Sequence, residues 1–155
     1  MPVRARAVLD SNLLIRGLLR RQRRSTAVAL LDAIIDGRLR LVTSEYLLAE
    51  VDRTLREPEV RALRSLSDAQ IGAFVTVLRD LATVVAGRYD VALVRRDPAD
   101  NPVLACALEA GARFVVTDDR KDLLPLKVVR LSGHAPVQIV SPGDFVRHHL
   151  PPRRH

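Results

Sequence analysis

Short apolar runs alternate along the chain with longer segments in which apolar residues recur at helical spacing. The runs at 6–9, 39–42, 83–85, 113–116, 128–131 and 137–140 predict strands. The longer segments predict helices over 12–21 and 26–36, from 45 to about 57, and from 68, 102 and 142 onward. Because strands alternate with helices, we expect an α/β fold, with a mostly parallel sheet covered on both sides.

Residues with strong local preferences mark the ends of these helices. Ser67 followed by Gln70 three positions later is the capping-box pattern that begins a helix. Pro58 is expected to end the third helix, and Pro102 fits the first position of a later one. Gly37 and Gly111 are natural helix stops.

The length of 155 residues favours a single domain over 1–150, followed by a loose basic tail over 151–155. We find no apolar run long enough to span a membrane and no secretory signal pattern. Cys106 is the only cysteine, so the chain has no internal disulfide, and we expect a cytoplasmic protein. A lone cysteine on an apolar helix face is most simply a small core residue.

Acidic residues follow two of the predicted strands. Asp10 comes directly after the first apolar run, and Asp118 and Asp119 follow the fourth. Parallel strands joined by right-handed crossovers end at one edge of the sheet, where open α/β sheets bind ligands. Because clustered carboxylates repel one another unless a positive charge lies among them, the pattern predicts a divalent metal site.

Asp10 and Glu50 each have a structural alternative. Asp10 could simply cap the helix that follows it. Glu50 lies three residues after Leu47, on or beside the inward face of the third helix, where an unpaired carboxylate would be costly. The alternative for Glu50 is a boundary residue paired with Arg53 or Thr54.

The remaining acids form two groups near the ends of predicted elements. Asp97 and Asp100 flank the start of the helix at 102; one should cap it, and we favour Asp100 as the inward acid. Asp118 and Asp119 are adjacent and therefore point different ways. We expect Asp119 to face the pocket, while Asp118 is solvated or pairs with Arg120. Asp122 is a possible helper on the next turn, and Thr117 could add a hydroxyl.

The chain is basic, with a formal net charge of +7 that comes almost entirely from arginine. This balance favours nucleic acid or another polyanion as a partner, although an arginine-rich codon bias would also produce it. Aromatic residues make up only 3% of the chain, which argues against base stacking as the main binding force. The candidate phosphate-binding residues are Arg16, Arg20, Arg21, Arg23 and Arg24.

Taken in order, five short segments resemble the PIN-domain ribonucleases, in particular the VapC-like toxins of bacterial toxin–antitoxin pairs. They span roughly the first 145 residues, and they are Val8–Asn12, Ser44–Val51, Asp97–Asn101, Ala110–Asp119 and Ile139–Phe145.

The resemblance implies a three-layer α/β/α sandwich whose acidic pocket binds Mg²⁺ or Mn²⁺ and cleaves RNA. It also implies 5′-phosphate and 3′-hydroxyl products, a small antitoxin partner and a homodimer. The implied acidic quartet is Asp10, Glu50, Asp100 and Asp119, with Asp97 as a further metal-ligand candidate. Asn12, Thr117, Asp118 and Asp122 would support it.

Two other classes compete with a nuclease. One is a non-catalytic nucleic-acid-binding or scaffold domain of the same fold, which would leave the inward acids unexplained. The other is a receiver-like phosphotransfer domain, which needs paired acids after the first strand and a well-placed lysine. Here Asp10 stands alone and Lys127 lies too near the loop after the fourth strand. The sequence has no glycine-rich phosphate loop and no nucleophile elbow.

Overall fold

The computed structural model describes residues 5–20, 25–87 and 101–153. Within these ranges the chain forms six strands, seven α-helices and a 3₁₀ turn over Leu124–Leu126. The strands are β1 (Ala5–Leu9), β2 (Leu39–Ser44), β3 (Thr83–Val85), β4 (Phe114–Val116), β5 (Val128–Val129) and β6 (Val137–Val140). The helices are α1 (Ser11–Leu19), α2 (Thr26–Ile35), α3 (Glu45–Leu55), α4 (Pro58–Arg61), α5 (Asp68–Leu81), α6 (Asn101–Ala110) and α7 (Pro142–His148).

The strands form one sheet in the order β3-β2-β1-β4-β6-β5. All neighbours are parallel except β5 and β6, so the predicted mostly parallel sheet is confirmed. Leu9, at the end of β1, lies opposite Val116, at the end of β4. The strand order reverses here, because β2 lies on one side of β1 and β4 on the other. In open α/β sheets, the carboxyl ends of strands at such a switch point border the ligand crevice.

Apolar side chains fill both sides of the sheet, as its parallel strands require. Ala7 and Leu9 belong to one hydrophobic cluster, which also contains buried residues of α1, α2, α3, α5 and α7. Val8 belongs to a second cluster, which is built around α6. Cys106 is fully buried there, and burial, with the charge of Glu109, raises the pKa of its thiol to about 12. The prediction of a core cysteine is therefore confirmed.

The ends of the helices and strands follow most of the predicted signals, but several differ; α6, for example, begins at Asn101, so that Pro102 is its second residue and not its first. Ser67 and Gln70 form a complete capping box at the start of α5, as expected. The third helix ends at Leu55, and Pro58 begins the short helix α4 instead of ending α3. The first helix stops at Leu19 and not at 21, because the backbone at Arg20 is extended. The fifth strand ends at 129 instead of 131.

No helix in the described ranges is long and apolar enough to cross a bilayer.

Candidate active site

Asp10 lies at the switch point, between the end of β1 and the start of α1. Its Oδ1 accepts a hydrogen bond from the backbone N–H of Asn12, at 3.2 Å, which makes it the N-cap of α1. Its Oδ2 accepts one from the hydroxyl of Thr117, at 3.0 Å. The capping role and the position at the strand end, which were alternatives at the level of sequence, are therefore compatible. One oxygen serves the helix and the other faces the neighbouring strand.

Thr117 connects the ends of the two central strands. Its side chain is completely buried, directly after β4. The hydroxyl donates to Asp10, and it accepts a hydrogen bond from the backbone N–H of Asp119 at 3.0 Å. One oxygen atom thus fixes the relative positions of the first and last members of the expected quartet.

The carboxylate of Asp119 is held by a tight turn of its own chain. Its Oδ1 accepts hydrogen bonds from the backbone N–H groups of Lys121 and Asp122, both at 3.0 Å. Its carbonyl oxygen accepts from the N–H of Leu124 at 2.9 Å. This turn orients the Asp119 side chain before any ligand binds.

A pocket of about 300 Å³ lies beside these residues. Charged and polar side chains dominate its wall, because both strand ends and the turn after β4 contribute to it. Its lining residues are Asp10, Asn12, Leu13, Arg16, Asp118, Asp119, Lys121 and Asp122. The described chain therefore brings together every acid expected from the first and fourth strands, with Asp122 and Asn12.

Asp118 behaves differently from its expected role. It forms an ion pair with Arg16 of α1, and not with its sequence neighbour Arg120. It also lines the same pocket as Asp119, although adjacent side chains were expected to face different surroundings. The first difference arises because α1 places Arg16 in the wall of the pocket, beside Asp118.

Glu50 is half-buried on α3 and contacts Ser11, the residue that follows Asp10. Its Oε1 accepts a hydrogen bond at 3.0 Å from the hydroxyl of Ser11, which is only 2% exposed. The structure thus pairs Glu50 with Ser11, where the sequence suggested Arg53 or Thr54 as the alternative. Among the described residues, Glu50 is connected to the pocket through Ser11 and does not line it.

The other predicted site residues lie outside the described ranges or in a second cavity. The two acids that precede α6, Asp97 and Asp100, and the arginines of the basic run, Arg21, Arg23 and Arg24, are outside the described residues. Arg16 and Arg20 line a second cavity that adjoins the acidic pocket. Lys121, which the sequence did not single out, lines the acidic pocket itself.

The donor types of the pocket suit a hard divalent cation, since Mg²⁺ and Mn²⁺ prefer carboxylate oxygens and water. Within residues 5–20, 25–87 and 101–153, no three acidic, histidine or cysteine side chains approach closely enough to hold a metal ion together. The described acids therefore fit such an ion in kind. As arranged, they form part of a ligand set, not a complete one.

The sheet order and the acidic crevice at its switch point define an α/β protein with a charged ligand site. A family model of the PIN domain matches residues 6–121, which is most of the chain, and the chain therefore belongs to the PIN-domain family. PIN domains are generally nucleases, and these nucleases typically use divalent metal ions. A search of curated proteins found no match.

Proposed function

We propose that this protein is a metal-dependent endoribonuclease that cuts RNA at the acidic pocket, as the toxin of a VapC-like toxin–antitoxin pair. The observation that carries the proposal is the connection of Asp10 and Asp119 through the Thr117 hydroxyl, at the switch point of the sheet. The net charge of +7 supports a polyanionic substrate.

Each pocket residue has a role that follows from its contacts. Asp10 and Asp119 would hold Mg²⁺ or Mn²⁺, because their carboxylates come from adjacent strand ends and are oriented by fixed hydrogen bonds. A bound ion of this kind makes water a better nucleophile and offsets charge on the phosphate. Thr117 holds the carboxylate of Asp10 and the backbone of Asp119 in place. Asn12, exposed at the pocket wall, would bind water or phosphate oxygen.

Further acids would complete the site. Glu50 would act through Ser11, the residue next to Asp10, because its carboxylate accepts a hydrogen bond from the Ser11 hydroxyl. Asp122 lines the pocket and would bind a water of the metal. Asp100, with Asp97 as the alternative, would supply the remaining carboxylate of the quartet, a role that the family resemblance suggests.

The biological setting is part of the same proposal. A toxin of this type would act in the cytoplasm, form a homodimer and be inhibited by a small antitoxin. A partner with acidic segments would suit the arginine-rich chain. A short reading frame for an acidic protein directly beside the gene would support this setting.

RNA cleavage by the purified protein tests the proposal, with Mg²⁺, Mn²⁺ or EDTA in parallel and with the Asp10→Asn variant as control. Asparagine keeps an oxygen that can accept from Asn12, so α1 stays capped while the charge is lost. We expect metal-dependent cutting, which falls by more than about a hundredfold in the variant, since metal catalysis supplies several kcal/mol. Equal cutting by the variant, or cutting in EDTA, would contradict the assignment.

A second candidate function is nucleic-acid binding without catalysis. It is favoured by the incomplete metal-ligand set among the described acids. Folded protein that neither cuts total RNA nor binds Mn²⁺ by calorimetry would support it. The receiver-like alternative is excluded by the strand order, because receivers follow the order 2-1-3-4-5, whereas β1 here lies between β2 and β4.

A further inference from the structure

A second cavity, of about 520 Å³, adjoins the acidic pocket and has the opposite charge. Among the described residues, its charged side chains are three arginines and one aspartate. They are Arg16, Arg20, Arg120 and Asp118. The rest of its wall comes from Leu13 and from two helix starts, at 25–27 and 141–143. We call this cavity the basic pocket.

The two pockets share a wall. Leu13, Arg16 and Asp118 line both of them, so one ligand can extend from the first to the second. Arg16 is only partly exposed, at 39% of its side chain, and its ion pair with Asp118 holds the guanidinium between the two cavities. The result is an acidic site suited to a cation, next to a basic site suited to an anion.

The backbone of the basic pocket is also positive. Ser25 occupies the N-cap position of the ten-residue helix α2, but its side chain makes no capping hydrogen bond. Ser44 and Ser67 do cap α3 and α5 from the equivalent position. The first N–H groups of α2 thus reinforce the field of the arginines, which carry most of the charge.

We propose that the basic pocket binds an internal phosphodiester of the RNA strand, beside the one that is cut at the acidic pocket. Arg16, Arg20 and Arg120 contact its oxygens. Asp118 is a positioning residue that acts through Arg16. This inference rests on the proposed function for the identity of the strand. It adds Arg120 and a specific role for Asp118 to the expected RNA-binding residues.

Binding of a short single-stranded RNA in EDTA tests the pocket without any cleavage, by fluorescence anisotropy over a series of salt concentrations. We expect Arg20→Ala and Arg120→Ala each to weaken binding about tenfold, because each loses a hydrogen-bonded charge pair. Each should also lower the magnitude of the log–log salt slope by about 0.7. Arg113→Ala is the matched control, since Arg113 is exposed at the opposite end of β4. An equal loss of RNA affinity in Arg113→Ala would overturn the proposal that the basic pocket binds RNA.

The role of Asp118 is tested by whether Asp118→Asn tightens or weakens RNA binding. If this carboxylate only repels phosphate, Asp118→Asn must tighten RNA binding. If it positions Arg16, Asp118→Asn must weaken binding in the wild-type background and lose this effect when Arg16 is alanine. Tighter binding by the single variant overturns the positioning role. Thermal melts of each variant, with Arg16→Lys as a conservative check, separate these effects from misfolding.

Two further results separate an internal phosphodiester from a 5′-terminal phosphate as the ligand, and separate the basic-pocket proposal from the nuclease proposal. The same RNA with and without a 5′-phosphate should bind equally. A strong preference for the phosphorylated end would overturn an internal phosphodiester. If the binding results hold but no RNA is cut with Mn²⁺, the pocket stands and the nuclease proposal fails. If RNA is cut but the Arg20 and Arg120 variants bind normally, only the pocket fails.

Discussion

Replacing Thr117 with valine should loosen both the fold and the candidate site. Valine keeps the shape of the side chain but removes a hydroxyl that donates to Asp10 and accepts from the N–H of Asp119. A hydrogen bond to a charged group contributes about 1.5–3 kcal/mol and a neutral one about 0.5–1.5 kcal/mol. Because both aspartates are only half-buried, water can replace part of the hydrogen bonding that the variant loses. We therefore expect a loss near the lower limit, about 2 kcal/mol in the free energy of unfolding.

Thr43 provides a matched control for this experiment. It is also fully buried, one residue from the end of β2. Its hydroxyl oxygen has no hydrogen-bond partner in the part of the chain that the structure describes. A buried unpaired hydroxyl is unfavourable, so Thr43→Val should leave stability unchanged or raise it by up to about 1 kcal/mol. The same substitution near the ends of β2 and β4 should thus have different consequences.

Equilibrium urea unfolding and RNA cleavage measure the two consequences of Thr117→Val. The expected loss of stability lowers the melting temperature by roughly 4–8 °C for a chain of this length. Cleavage should fall at least about tenfold, because small displacements of catalytic groups are costly. Thr117→Ser, which keeps the hydroxyl, should recover most of the activity. Equal destabilisation by Thr117→Val and Thr43→Val would refute the argument that the hydroxyl network matters.

Four other substitutions test the packing, charge and capping of the fold. Gly17→Ala should lower the melting temperature, because a Cβ there would meet the carbonyl oxygen of residue 27 at 3.0 Å, whereas Gly72→Ala in α5 meets nothing and should raise it. The Arg38 side chain, through its hydrogen bond, lowers the pKa of Asp36 below 3.8. This ion pair therefore stabilises the folded state above pH 3.8, and the stabilisation is lost as the pH falls through the lowered pKa. Asp36→Asn should accordingly cost less than about 1 kcal/mol in urea unfolding at pH 7, and this cost should disappear as the pH falls through the lowered pKa of Asp36. Ser67→Ala should cost about 1 kcal/mol in the same assay and leave cleavage unchanged, since the capping box lies on α5.

Most helices and strands, and the proximity of Asp10 and Asp119, could be predicted from the sequence because their signals are local. Apolar runs and cap residues placed the strands, and the parallel topology then required Asp10 and Asp119 to lie at the same edge of the sheet. The helix α4 was missed because Pro58 is compatible with two structures. Proline disfavours helix in the residue before it, and it also suits the first position of a new helix.

The pairing partners could not be predicted, because they depend on tertiary geometry. The ion pair of Arg16 with Asp118 joins residues 102 positions apart, and Ser11 meets Glu50 across 39 positions. No periodic pattern links such residues, and Asp118 has a nearer candidate in Arg120. The choice of Arg16 follows from the direction in which α1 leaves the end of β1, which is a property of the packed sheet.

The short helix α1 shows why the site coincides with strong local sequence signals. Asp10 caps its N-terminus, and Arg16 lies in its last turn. An acid at the start and a base near the end both interact favourably with the helix dipole. Arg16 lies six residues after Asp10, which corresponds to a rise of roughly 9 Å along the helix. The helix therefore places Asp10 in the acidic pocket and Arg16 where the acidic and basic pockets meet. Because helix stability and the proposed chemistry require the same charges at the same positions, a substitution that removes only the chemistry must preserve the cap, as Asp10→Asn does.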